Sequence, residues 1–184
     1  MYHIKPDKRS RASAAEILCG LESCLKTMPL SKVTVSDLYR ATGISRATFY
    51  RLFDTVEDAI RYKLDCMMEQ TAEIWDPLSA SVLEQIFTLS KQHHEFLSAL
   101  VENGRLDLLF QYTERTFQEM DSRYQLFPPD MEETERGYVM TQLSMNMVAA
   151  LIFWNRNGKR ESFAEETEYL RRYVQILTEM FEKK

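Results

Sequence analysis

The chain has 184 residues, 45% of them hydrophobic and 28% charged, enough to bury a sizeable core and too apolar for a disordered chain. Glycine and proline number only five each, so strong turn signals are few and long helices suit the sequence better than a many-stranded sheet. The net charge of −5 is unevenly held: residues 1–64 carry eleven Lys/Arg against seven Asp/Glu, residues 65–184 twelve against twenty-one, a basic part joined to an acidic one.

In chain order, the first helix is predicted from about Ser10 to Lys26, with Ile17, Leu18, Leu21 and Leu25 on one stripe and Pro29 as its stop. A short second helix starts near Thr34, whose hydroxyl can cap it, with Asp37 in its first turn and Gly43 as its terminator. Ser45 caps a third short helix reaching about Leu52. A longer fourth helix runs from Thr55 to about Trp75, and the patterns beyond Pro77 are all helical, broken at Asn103-Gly104, Pro128-Pro129 and Asn157-Gly158. Asp130 with Glu133, and Ser162 with Glu165, have the spacing of reciprocal helix caps. The expectation is an all-α fold of about nine helices, divided as 1–54 and 55–184.

The second and third helices, joined by Thr42-Gly43-Ile44, have the size of a helix-turn-helix. At about 100° per residue, Ser45, Phe49 and Leu52 share one side of the third helix, while Arg46, Ala47, Tyr50 and Arg51 share the other. An outward tyrosine between arginines suits a helix lying in the major groove. Arg46 can pair with guanine O6 and N7, Ala47 can pack on a thymine methyl, and Tyr50 and Arg51 can reach bases or phosphate. Thr34 and Ser36 stand at the positive end of the preceding helix, where a phosphate is welcome.

Thr34-Val35-Ser36-Asp37-Leu38, then Ala41-Thr42-Gly43-Ile44-Ser45-Arg46-Ala47-Thr48-Phe49-Tyr50 and on to Phe53, resembles the DNA-binding domain of tetracycline-repressor (TetR) family regulators over residues 9–65. The resemblance implies a three-helix head, a long connecting helix, and a variable helical body that binds an effector and dimerises. It further implies a homodimeric regulator, a repressor by expectation, on an inverted-repeat operator of double-stranded DNA. Two positions depart from the family pattern. Leu52 stands where a histidine is common and Val56 where a lysine is common, and both of those would touch phosphate. Arg51, Thr48 and Tyr50 are then expected to carry more of the backbone contact, with Ser45 at the cap beside them.

In the body, residues 138–156 are apolar nearly all round, so this helix needs cover on every face. With the last helix and its stripe of Leu170, Tyr173, Val174, Leu177 and Phe181, it is expected to form a four-helix dimer interface at which Ala149 and Ala150 allow close approach. Gln142 and Asn146 share a face, and with Phe96, Phe110, Phe117, Tyr138, Met145 and Trp154 they are candidates to line a pocket for a small apolar or amphipathic effector. An alternative keeps the fold and makes the body a docking module for a partner protein.

Cys19, Cys24 and Cys66 have no metal-ligand spacing and read as reduced, mostly buried thiols; His93-His94 lacks a third ligand and reads as a helix-start feature. No metal, no cofactor and no catalytic constellation is expected, so the chain is read as a binding protein and not an enzyme. Residues 1–6 form no signal-like apolar run, and the uncharged stretch 138–154 is short for a bilayer, so a soluble cytoplasmic protein without membrane attachment is expected.

Overall fold

The computed structural model describes residues 1–74, 91–158 and 161–182. Among these the chain is all-α, with eight helices: α1 Lys8–Leu25, α2 Val35–Thr42, α3 Arg46–Leu52, α4 Val56–Ile74, α5 His94–Glu102, α6 Leu106–Tyr124, α7 Glu133–Arg156 and α8 Phe163–Glu182. The expected end of the fourth helix at Trp75 and the helical reading just beyond Pro77 lie outside the described residues.

Local chemistry explains the boundaries. Asp7 caps α1 by accepting from the Ser10 amide at 2.9 Å and the Ser10 hydroxyl at 2.8 Å. The start is thus earlier than the expected Ser10. Thr34 and Asp37 form a reciprocal box at α2, and the same pattern recurs with Thr55 and Asp58 at α4 and with Ser162 and Glu165 at α8. The expected cap at Asp130 does not form. The cap position of α7 is Glu132, which makes no side-chain cap bond. The loop there is fixed otherwise: Asp121, buried at the end of α6, accepts from Arg136 and from the Phe127 amide, and Arg136 also reaches the Pro128 carbonyl.

One core runs through the molecule. Ala14, Ile17 and Leu21 of α1 meet Leu38, Phe49, Leu52 and Phe53, and the same cluster continues through Ile60, Leu64 and Met67 of α4 to Phe96, Leu100, Leu108, Leu109 and Val148. Gly20 lets α1 and α2 close on one another: a Cβ there would lie 2.4 Å from Thr42 Cγ2 and 3.3 Å from the Leu38 carbonyl oxygen. Polar ties join the first three helices to the body, namely Lys63 to Glu22 at 2.5 Å and the Ser31 amide to Asn103 Oδ1 at 3.1 Å. Of the cysteines only Cys24 is buried; Cys66 is half-buried and Cys19 exposed, correcting the reading of mostly buried thiols. Among the described residues no helix is long and apolar enough to cross a membrane.

Candidate nucleic-acid interface

The turn between α2 and α3 is built from three small residues. Thr42 donates its hydroxyl to the Leu38 carbonyl at 2.8 Å and accepts from the Ile44 amide at 3.2 Å. Gly43 sits at φ 75°, in the left-handed region where a side chain is strained, and its amide reaches the Tyr39 carbonyl at 2.7 Å. Ser45 then caps α3, accepting from the Thr48 amide at 3.2 Å, with the two hydroxyls 3.0 Å apart.

This frame fixes which way α3 faces. Phe49 and Leu52 are buried to 1% exposure, while Arg46, Ala47, Tyr50 and Arg51 are exposed. Tyr50 leaves half of its surface in solvent with its ring edge-on to Phe49 at 5.5 Å, so the core holds the tyrosine's orientation without covering it. Neither Arg46 nor Arg51 has an ion-pair partner among the described residues, whereas Arg61, Arg105, Arg115, Arg123 and Arg136 are all paired with carboxylates. Guanidiniums that the fold leaves unmatched are available to an external anion.

The other DNA-facing candidates are placed around these. Thr34 is exposed at the start of α2, but its hydroxyl is given to Asp37 at 2.5 Å, and that bond holds the Asp37 carboxyl below its usual range. Ser36 and Thr48 are half-buried; Ser45 is exposed with its oxygen in the cap. At the start of α2 the Val35 and Ser36 amides are the donors left for a phosphate, since the Thr34 and Asp37 amides are used within the cap box.

The sequence reading missed the segment before α1. Tyr2 bridges to Phe53 in antiparallel fashion, the His3 amide donates to the Leu52 carbonyl at 2.8 Å, and the Tyr2 ring lies 5.2 Å from that of Tyr62. The Tyr2 hydroxyl bonds to Asp65, which Arg115 of α6 also holds at 2.6 Å, and burial followed by the Asp65 bond pushes the phenol well above its ordinary pKa. A signal for this exists in the sequence: Tyr2 and Ile4 alternate with Met1, His3 and Lys5, an in–out pattern of period two.

The effector candidates do not converge. Phe117 lines a cavity of about 40 Å³ between α4, α5, α6 and α7, where Leu97, Leu109, Met147, Val148 and Leu151 supply apolar walls and Thr71, Tyr112, Thr113 and Thr116 the hydroxyls. Burial pushes the Tyr112 phenol up. Phe96 is core; Phe110, Asn146 and Trp154 are half-buried, and Trp154 meets the His94 ring edge-on at 6.4 Å. Tyr138, Gln142 and Met145 are exposed on α7, and none of them lines the cavity beside Phe117. The buried polar residue of α7 is Ser144, whose hydroxyl satisfies itself on the Met140 carbonyl at 2.9 Å. A second, more open cleft of about 210 Å³ lies between α4 and α6 beneath Tyr2, flanked by Arg61, Asp65, Gln111 and Arg115.

The dimer candidates Ala149, Ala150, Tyr173 and Phe181 are exposed and Leu177 is half-buried; the side chain of Leu170 lies outside the described residues. Tyr138, Met145 and Phe153 of α7, and Tyr169, Val174, Ile176 and Met180 of α8, are exposed apolar side chains as well.

Head, connecting helix and helical body define the class of fold: an all-α chain carrying a helix-turn-helix near one end. No protein-family model matches the chain, and no curated protein is significantly similar in sequence. Solved structures do share the fold. The crystal structure of Lin0861 from Listeria innocua matches with a TM-score of 0.77 and 12% identity, covering 95% of this chain and 96% of that one. A TetR transcriptional regulator from Streptococcus agalactiae matches at a TM-score of 0.58 and 16% identity, covering 86% of this chain and 91% of that one. At these identities the likeness is one of fold.

Proposed function

We propose that the chain is a DNA-binding transcriptional regulator, a repressor by preference, that acts as a homodimer on an inverted-repeat operator in the cytoplasm. The observation that carries this is the outward face of α3. Two arginines without ion-pair partners among the described residues flank an exposed tyrosine, and Phe49 and Leu52 lock the opposite face into the core. The fold shared with a TetR transcriptional regulator supports the same reading. In this proposal the chain binds and does not catalyse.

Dimerisation is proposed through α7 and α8, whose exposed Met145, Phe153, Tyr173, Val174 and Met180 need cover. Control by a small molecule is proposed at the cavity beside Phe117. At about 40 Å³ it holds a water or two, far below the 300–1,000 Å³ of ordinary ligand sites, so an effector there must part α6 from α7. A ligand that favours another head spacing weakens DNA binding by the same coupling energy by which DNA weakens binding of the ligand. The small cavity also favours a second reading, in which the apolar face of α7 and α8 docks a different protein and no small molecule is used.

Selection of bound sequences from random duplex DNA tests the first proposal. The expected product is an inverted repeat with half-sites about 34–36 Å apart or a multiple of that. Absence of any enriched sequence refutes it. Sedimentation separates the two uses of the body: a dimer of the isolated chain supports the first, and a monomer that gains a stoichiometric partner supports the second.

A further inference from the structure

We infer that Lys5, Lys8 and Arg9 form a second contact with the sugar–phosphate backbone, beside the one α3 makes; this rests on the DNA-binding reading above. The sequence lacks the two phosphate-touching residues that its resemblance leads one to look for, and the buried Leu52 and half-buried Val56 in those places cannot replace them. The segment before α1 brings other cations to the same neighbourhood. The His3 amide is bonded to the carbonyl of Leu52 itself, and Tyr2 bridges to Phe53, so the chain leaves the C-terminal end of α3 at a fixed point. Lys5 follows two residues later, within about 7 Å of His3 along an extended chain.

Helical geometry sorts the rest. Ser10 is buried toward the core with Ala14 and Ile17. Arg9 and Arg11 fall about 100° to either side of Ser10, and Lys8 lies between them on the outward side. Burial raises the Tyr62 phenol of α4 and the Arg11 guanidinium offsets only a little of that, which puts Arg11 on the α4 side and Arg9 on the other. Lys5, Lys8 and Arg9 are thus three exposed cations on the stretch of chain that follows the point fixed at the end of α3.

None of the three has an ion-pair partner among the described residues, although Asp7 adjoins them in the chain and Asp54, Glu57 and Asp58 follow α3. Those carboxylates are engaged elsewhere: Asp7 caps Ser10, Asp54 holds His3, Glu57 bridges Arg61 and Arg105, and Asp58 caps at Thr55. Lysine and arginine with their local acids already committed are suited to a polyanion, and continuity with α3 selects the duplex that α3 reads.

The experiment is a salt titration. Affinity for the duplex returned by selection, and for a scrambled duplex of equal length, is measured from low to high salt for the full chain, for Lys5→Ala/Lys8→Ala/Arg9→Ala, and for a control without three body cations, Lys91→Ala/Arg156→Ala/Arg172→Ala. Removing one cation that neutralises a phosphate flattens the slope of log affinity against log salt by about 0.9. The expected result for the arm variant is a slope flatter by about two to three, with the ratio of selected to scrambled binding preserved and the control unchanged. An unchanged slope overturns the role of the arm alone, and so does equal flattening in the control, which makes the effect one of net charge. If the unaltered chain binds neither duplex, the DNA reading falls and the role of the arm with it.

Discussion

The head and the last two helices each leave a helix face exposed, but the faces carry different chemistry. On α3 the apolar residues Phe49 and Leu52 are fully inside and the outward residues are Arg46, Tyr50 and Arg51. On α7 the buried stripe is only Met140, Ser144 and Val148, and the opposite stripe of Tyr138, Met145, Ala149 and Phe153 is apolar and open. An exposed face of guanidiniums, unpaired among the described residues, is stable in water and waits for a polyanion, with an interaction that salt weakens. An exposed apolar face is unfavourable in water at all salt concentrations and waits for another protein surface. The two regions are therefore expected to respond oppositely to salt and to substitution.

The largest expected effect comes from the inside of the head. Phe49→Ala should cost about 3–5 kcal/mol, because a ring buried to 1% exposure and packed on Phe53 leaves a cavity, and denaturant titration of the two chains reads that loss. Next, Ala149→Glu with Phe153→Glu places charge on the open face of α7, where both sites are exposed in the single chain. The variant should fold normally by circular dichroism and sediment as a monomer; loss of helix with loss of the dimer would instead make these residues internal. Gly43→Ala should cost about 1–2 kcal/mol because its φ of 75° strains a side chain, and the thermal midpoint should fall accordingly. The smallest effect concerns Asp37, whose carboxyl the Thr34 hydroxyl holds below its usual pKa. A depressed carboxylate contributes stability above its unfolded pKa, and that stability is lost as pH falls through the folded value. Asp37→Asn should thus lower the melting temperature at neutral pH, and its gap to the unaltered chain should close below about pH 4.

Much of the head was legible because its signals are local. Thr34 with Asp37, Gly43, and Ser45 each fix a helix end within four residues, and the structure puts the ends there. The start of α1 moved to Asp7 because one carboxylate takes both the amide and the hydroxyl of Ser10, a choice that spacing alone did not rank. The body was less legible for a physical reason. When a helix is apolar nearly all round, periodicity cannot tell inside from outside. Gln142 looked buried by its neighbours and is exposed; Ser144, which bonds back to Met140, took the interior place instead. The close approach at Gly20 had no local signal at all, because it depends on Thr42 arriving from another helix.

The central claim is that the outward face of α3 reads bases. Its most direct test is the affinity of the unaltered chain and of Arg46→Ala for the selected duplex and for every single-base-pair change in one half-site. The account predicts that the variant loses about 1–3 kcal/mol of discrimination at one base pair and keeps it at the others. A uniform loss across all duplexes, with discrimination intact everywhere, would contradict it and make Arg46 a phosphate contact.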